Sequence, residues 1–352
     1  MNLEFRKYIK AVGTGQKLSR DLSPEEAERA FRLILEGAAS DAQIGGLLVP
    51  LRMKGESTEE LATFVRVTRD FCHQAHAPIK HLVDCGVAYD GKVKFPHISP
   101  AAAFVAAGAG ASVLLHGQSH TPPKYGVSVR DVFLELGIPI DWTIWQVKNA
   151  LEEIGVGFLS IEQISPRVAE LRRIREELGL RTAFNHIEKL WNPMNAPHQL
   201  VSIYHGPYLK TIPDVLQKLN VSHALVVQGM EGTPDCRTNR VTKVVELHQG
   251  ASRDIFIQPK ELGFEALTEP VFETLTAQVN AQFVEKSLES QEGVLKDLVV
   301  LNGAILIYAS GVAQDLQEAV QRAQDSLDSR RALNKLGLLR RMAVHEVQRF
   351  KS

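Results

Sequence analysis

A chain of 352 residues, 44% of them hydrophobic, can hold one large domain or two smaller ones around a full-sized core. Its formal net charge of −1 excludes a globally basic nucleic-acid binder, while leaving room for a local basic patch. Cys72, Cys85 and Cys236 form no CxxC pair, and the most apolar run, Leu298 to Ala309, is broken by Asn302 and Gly303 and is too short to span a bilayer. With no charged-then-apolar leader at the start of the sequence, the expectation is a soluble protein of a reducing compartment, the cytoplasm, without a membrane partner.

In chain order, the first readable elements are helices. Ser23-Pro24-Glu25-Glu26 is a capping box with proline at the first helical position, and Ala27, Ala30, Phe31 and Ile34 recur on one face until Gly37 stops the helix. A second helix starts near Ser40 or Asp41 and carries Ile44, Leu47, Leu48 and Leu51. Another capping box, Ser57-Thr58-Glu59-Glu60, opens a third with Leu61, Phe64, Val65 and Thr68.

From Lys80 onward strand-length apolar runs alternate with helices, at 82–85, 113–115, 157–159, 200–204, 224–227 and 255–257. Such alternation predicts a mostly parallel sheet covered on both faces. Between Ser165 and Asn192 the pattern is helical, with arginines at 167, 172, 173, 175 and 181. After Pro270 it is helical to the end, apart from turns near Gly311 and Gly337. The domain reading is a helical unit over 1–78, to which 165–192 returns, and an α/β unit over 79–164 and 193–352.

The stretch from Asp84 to Gly126 reads as strand, loop, helix, strand and second loop, with both loops leaving the carboxyl ends of strands, where open α/β sheets bind ligands. Gly86 and Gly91 bracket the first loop, and Ser99 as N-cap with Pro100 behind it starts the following helix. That arrangement aims backbone N–H groups at an anion such as phosphate. An ordinary strand-to-helix turn is the alternative left open by the residues themselves.

Several segments, taken together and in order, resemble the anthranilate phosphoribosyltransferase family. They are DLSPEEAERAFRLILEGAASDAQIGGLLVPLRMKGES, the central stretch with His116-Gly117, LGLRTAFNHIEKLWNPMNA, QPKELGF and VLNGAILIYASG. The resemblance implies a nucleoside phosphorylase/phosphoribosyltransferase-type fold, with a small helical domain, a larger α/β domain, a phosphoribosyl pyrophosphate site in the cleft between them, and a homodimer. In working enzymes of that family magnesium and hydrogen-bond donors stabilise the departing pyrophosphate.

The motifs are altered where the scaffold is not. The family's GTGGD loop is here Gly86-Val87-Ala88-Tyr89-Asp90, with a ring at Tyr89 where diphosphate is expected to lie. His97-Ile98-Ser99-Pro100 stands for the family's asparagine-x-serine-threonine, and in the second loop His116, Gly117 and Lys124 match while Gln118 and Pro122-Pro123 differ. The family's Asp-Glu pair for magnesium is Glu231-Gly232, which weakens a hard-cation site, with Asp235 as a possible stand-in. The donor-site remnant is thus Gly86, Asp90, Ser99, His116, Gly117 and Lys124, with Glu231 as the metal candidate. Arg175 matches the arginine that contacts the aromatic acid, or is one more solvated charge on a helix. His97 and His116 are equally readable as satisfied loop histidines.

These exchanges resemble the nucleic-acid-binding, anthranilate phosphoribosyltransferase-like subgroup. Arg237, Arg240 and Lys243 recur every three residues, and on a helix would share a face beside the cleft; a merely solvated face is the alternative. Two functions therefore follow. The first is a divergent protein that has lost the anthranilate reaction and binds DNA, RNA or another phosphate-bearing partner. The second is an active pentosyl (phosphoribosyl) transferase, with magnesium and phosphoribosyl pyrophosphate, acting on anthranilate or a different acceptor.

Overall fold

The computed structural model describes residues 2–15, 17–76, 78–87, 90–119, 121–266, 268, 270–289 and 292–349. Four helices open the chain: α1 (Arg6–Gly13), α2 (Pro24–Leu35), α3 (Asp41–Lys54) and α4 (Thr58–Arg69). Both predicted capping boxes form. Ser23 and Glu26 satisfy each other's backbone N–H groups at the start of α2, as Ser57 and Glu60 do for α4. Phe31 of α2 and Phe64 of α4 stack with ring centroids 3.8 Å apart, so the apolar faces read from the sequence meet in one helical core.

A seven-stranded sheet follows, in the order β3-β2-β1-β4-β5-β6-β7. Its strands are β1 (Leu82–Gly86), β2 (Ser112–Gly117), β3 (Val156–Ser160), β4 (His198–Ser202), β5 (His223–Val227), β6 (Thr242–His248) and β7 (Ala251–Ile257). β1 to β5 run parallel, and β6 and β7 are antiparallel. The order reverses between β1, which pairs with β2 on one side, and β4 on its other side. Crevices open at such switch points.

Helices cover the sheet. Between β1 and β3 lie α5 (Ser99–Gly108), α6 (Val129–Glu135) and α7 (Ile144–Glu153). Four short helices, α8 (Ile161–Ile164), α9 (Pro166–Glu170), α10 (Arg172–Leu178) and α11 (Phe184–Ile187), lead to β4, and α12 (Tyr208–Lys218) joins β4 to β5. The chain ends in α13 (Ala277–Glu289), α14 (Val294–Ala309), α15 (Leu316–Asp328) and α16 (Arg331–Arg349). The turn expected near Gly337 is absent, because α16 runs through that position.

Two further sequence expectations miss. α1 has no counterpart among the expected elements, and the segment expected as a basic helix after Glu231 is instead a turn and the antiparallel strand β6. Bonds across the cleft tie the parts together: Tyr208 Oη donates to Glu56 at 2.6 Å, Trp191 Nε1 to Thr68 Oγ1 at 2.9 Å, and Arg69 Nη2 to the Leu190 carbonyl at 2.6 Å. Among the described residues no helix is long and apolar enough to cross a membrane.

Candidate functional site

The loops that leave β1 and β2 are joined. Lys92 and Val127 exchange both backbone N–H···O bonds, each 2.9 Å. Gly91 has φ +81°, and a Cβ there would fall 2.2 Å from the Gly126 carbonyl oxygen, so only glycine permits this approach. At Gly86 a Cβ would lie 2.6 Å from Lys189 Cα. The glycine that sequence assigned to ligand approach is therefore required by the neighbouring chain.

The N-terminus of α5 already holds an anion, and it is a protein carboxylate. Ser99 Oγ donates to Asp235 Oδ1 at 2.5 Å and Ile98 N to Oδ2 at 3.2 Å. The Lys92 ammonium lies 2.5 Å from the same Oδ2, with both side chains fully buried. A carboxylate at a helix N-terminus is where the dipole favours it. This corrects two expectations: Ser99 opens the helix as a donor to Asp235 rather than capping it, and Asp235, with Thr233 Oγ1 also donating at 2.9 Å, is committed and not a stand-in metal ligand.

Both histidines are buried and partnered. His97 Nε2 donates to the Val127 carbonyl at 2.7 Å, and burial pushes its pKa down to about 4. His116 Nε2 lies 3.2 Å from Asp84 Oδ1, one residue before Gly117 ends β2. The expected ring at Tyr89, and Ala88 beside it, lie outside the described residues.

The open part of the site is a cavity of about 460 Å³ at the switch point between β1 and β4. Its walls come from the end of α3 (Arg52, Met53), from Glu56, from Arg181, Asn185 and Lys189, and from Tyr204 and His205 after β4. Arg181 Nη2 reaches Asp90 Oδ2 at 2.7 Å, which joins the first loop to this wall. Lys124 of the second loop pairs with Glu231 at 3.0 Å, and Glu231 sits in left-handed backbone at φ +51° beside Gly232, another wall residue. Asp90, Lys124 and Glu231 thus adjoin wall residues without lining the cavity themselves, and Gly86, Ser99 and His116 lie behind them in the loops and helix start.

Arg175 is neither solvated nor open to the cavity. It is 2% exposed, it pairs with Glu188, and Gln118 Nε2 donates to the other Glu188 oxygen at 2.7 Å. The basic trio does not share a helical face. Arg237 lies over the Phe95 ring at 5.0 Å, Arg240 stands in a turn, and Lys243 on β6 pairs with Asp254 at 2.8 Å. Spacings of three align side chains on helices, whereas in a strand the repeat is two.

Sequence reasoning missed Lys189, Arg181 as a site residue, and Glu188. Lys189 Nζ donates to the Ser202 carbonyl and hydroxyl at 3.1 Å each and to the Gly232 carbonyl at 3.0 Å. Burial brings its pKa down to about 8, so it remains an ammonium at neutral pH. No periodic signal marks these residues. The one available hint was three charges, Arg181, Glu188 and Lys189, within a segment otherwise apolar enough to be core.

The fold and this cleft define a class. Residues 6–72 match the family described as "Glycosyl transferase family, helical bundle domain", and residues 80–333 match "Glycosyl transferase family, a/b domain". Among curated relatives, the anthranilate phosphoribosyltransferase of Methanocorpusculum labreanum is 37% identical over 319 residues, covering 90% of this chain and 92% of its own. That of Exiguobacterium sibiricum is 33% identical, covering 96% and 99%. The crystal structure of anthranilate phosphoribosyltransferase from Thermus thermophilus superposes with a TM-score of 0.83 at 28% identity, covering 96% and 98%. The Saccharomyces cerevisiae enzyme in complex with PRPP and Mg shares the fold, with a TM-score of 0.83 at 18% identity and coverage of 98% and 99%. The chain belongs to the anthranilate phosphoribosyltransferase family.

Proposed function

We propose that this protein is an active phosphoribosyl-transferring enzyme that takes phosphoribosyl pyrophosphate in the cleft, with an acceptor other than anthranilate. The observation that carries the reading is the pairing of long-chain cations with carboxylates next to the cavity: wall residue Arg181 with Asp90, and Lys124 with Glu231, the neighbour of wall residue Gly232. These are charge-assisted contacts of the kind that diphosphate oxygens can take over. The curated relatives support the phosphoribosyl transfer, being named anthranilate phosphoribosyltransferase; their name speaks for anthranilate as acceptor, and the departure from it rests on Arg175 alone.

In the transfer, the acceptor nucleophile forms a bond to the anomeric carbon as the bond to diphosphate breaks. Lys124 and Arg181 then face the charge that develops on the leaving group. Magnesium, when bound, neutralises part of that charge. Asp90 Oδ1 and Glu231 Oε1 are buried and have no hydrogen-bond partner, so these carboxylates suit a hard cation that arrives with the diphosphate. Lys189 adds a fixed positive charge at the Gly232 carbonyl.

The acceptor reading rests on Arg175. Its guanidinium is already paired with Glu188 inside the core, so an aromatic acid would have to displace a buried carboxylate. Breaking such a pair costs about 3–5 kcal/mol. Calorimetry with phosphoribosyl pyrophosphate and magnesium tests the donor site: micromolar binding is expected, and binding that is absent or millimolar overturns the proposal. Among the described residues, no shared helical face of Arg237, Arg240 and Lys243 supports nucleic-acid binding.

A further inference from the structure

The end of the sheet remote from the cleft carries a row of histidines. β4 and β5 begin there and β6 ends there, and the register sets His198 opposite His223 and His223 opposite His248. Directly opposed residues on neighbouring strands project from the same face. His198 Nδ1 and His223 Nδ1 are 3.1 Å apart, with the rings nearly perpendicular at 86°. His198 and His223 are half-buried and His248 is exposed, with its ring 5.4 Å from that of His223.

The second nitrogen of His223 fixes what the first can do. His223 Nε2 lies 3.1 Å from Glu246 Oε1, and Glu246 also accepts from Tyr308 Oη at 2.7 Å and Arg253 Nε at 2.6 Å. The ion pair with Arg253 keeps Glu246 a carboxylate. An ionised carboxylate only accepts, so His223 Nε2 carries the hydrogen. A neutral imidazole then presents its lone pair at Nδ1, toward His198.

The 3.1 Å contact between the two Nδ1 atoms is a hydrogen bond, which His198 donates when His223 presents its lone pair. His81 turns to the Ser310 carbonyl through Nδ1 at 3.1 Å. A shift of the His198 hydrogen from Nδ1 to Nε2 would leave two lone pairs facing one point between the strands.

We propose that His198 Nδ1 and His223 Nδ1 form a two-nitrogen site for a borderline divalent transition cation such as Zn²⁺, Cu²⁺ or Ni²⁺. Imidazole nitrogens bind zinc at about 2.0–2.1 Å, and two of them 3.1 Å apart subtend roughly 100° at the metal, within reach of tetrahedral or square geometry. Glu246 orients the His223 ring through Nε2. Among the described residues no three His, Cys, Asp or Glu side chains already surround a metal position, so solvent completes the coordination, beside exposed His248, whose ring is 5.4 Å from that of His223. The bound ion would clasp β4 to β5 at the end of the sheet remote from the cleft. Five-residue strands at about 3.3 Å per residue separate the two sites by roughly 15 Å.

The test uses the full chain without an affinity tag. Calorimetry with ZnCl₂ at pH 7.5 should show one ion per chain in the micromolar range, and Cu²⁺ should give an electron paramagnetic resonance spectrum with two coupled nitrogens. His198→Asn and His223→Asn should each weaken binding at least ~10-fold, and Glu246→Gln by about 10–100-fold. Zinc should raise the melting temperature of the wild type and not of the histidine variants. The chain has 12 histidines, so the comparison among variants decides. No binding by the wild type, or binding that survives both asparagine substitutions, overturns the proposal. Neither result bears on the donor site.

Discussion

At the scale of single residues, the cleft is governed by buried charges that have found partners inside the protein. Glu188 occupies Arg175, and Asp235 occupies Lys92 and the start of α5. Glu188→Gln should therefore improve anthranilate binding several-fold in calorimetry by freeing the guanidinium. It should also lower stability by about 3–5 kcal/mol in urea titration, since a buried arginine is left unpaired. Unchanged anthranilate affinity in a folded variant would remove the arginine from acceptor choice. His97 makes a second residue-scale prediction. Its folded pKa of about 4 lies below the unfolded value of about 6.5, so it is neutral in the native state and its contribution is complete above pH 6.5. Stability should fall as pH drops from 6.5 toward 4, by about 2 kcal/mol at pH 5 from this group alone. A His97→Asn variant should show a shallower pH slope in denaturation midpoints, and an equal slope would count against the assignment. Such residues were illegible in the sequence because burial decides their role. Lys92 and Lys189 carried no reading in the sequence, and Arg175 stood between an acceptor contact and a solvated charge, until packing placed all three inside.

At the scale of elements, legibility followed the strength of the local signal. α2 and α4 were readable because capping boxes and apolar repeats agree on the same boundaries. The five parallel strands were readable from their short, strongly apolar runs, even with Asp84 inside one and Ser202 inside another. β6 was not, because Arg237, Arg240 and Lys243 offered a helical spacing that outshone a β-branched signal in Val241, Thr242, Val244 and Val245. The better cue was the hairpin that follows. Gln249 and Gly250, with φ +50° and +81°, form the two-residue loop between His248 and Ala251. Two positive φ values in such a loop favour Asn-Gly. Gln249→Asn should thus raise stability by roughly 0.5 kcal/mol, read from the thermal midpoint, because asparagine tolerates the left-handed region better. A lowered midpoint would argue against this turn.

At the scale of the whole molecule, the family fold keeps its cleft at the switch point of the sheet, with helical and α/β parts contributing opposite walls. That placement was legible from the order of motifs, since strand ends and the loops beyond them could be located without any side-chain detail. What could not be read was how the two loops meet, because the contact depends on Gly91 and Gly126 touching across 35 residues of chain, the difference between their numbers. This junction has a kinetic consequence. Since Lys92 and Val127 share a pair of backbone bonds, neither loop can open by itself without losing both. Entry of the donor should accordingly appear in stopped-flow fluorescence as one concerted relaxation, and two resolved phases with separate concentration dependences would show that the two loops move independently.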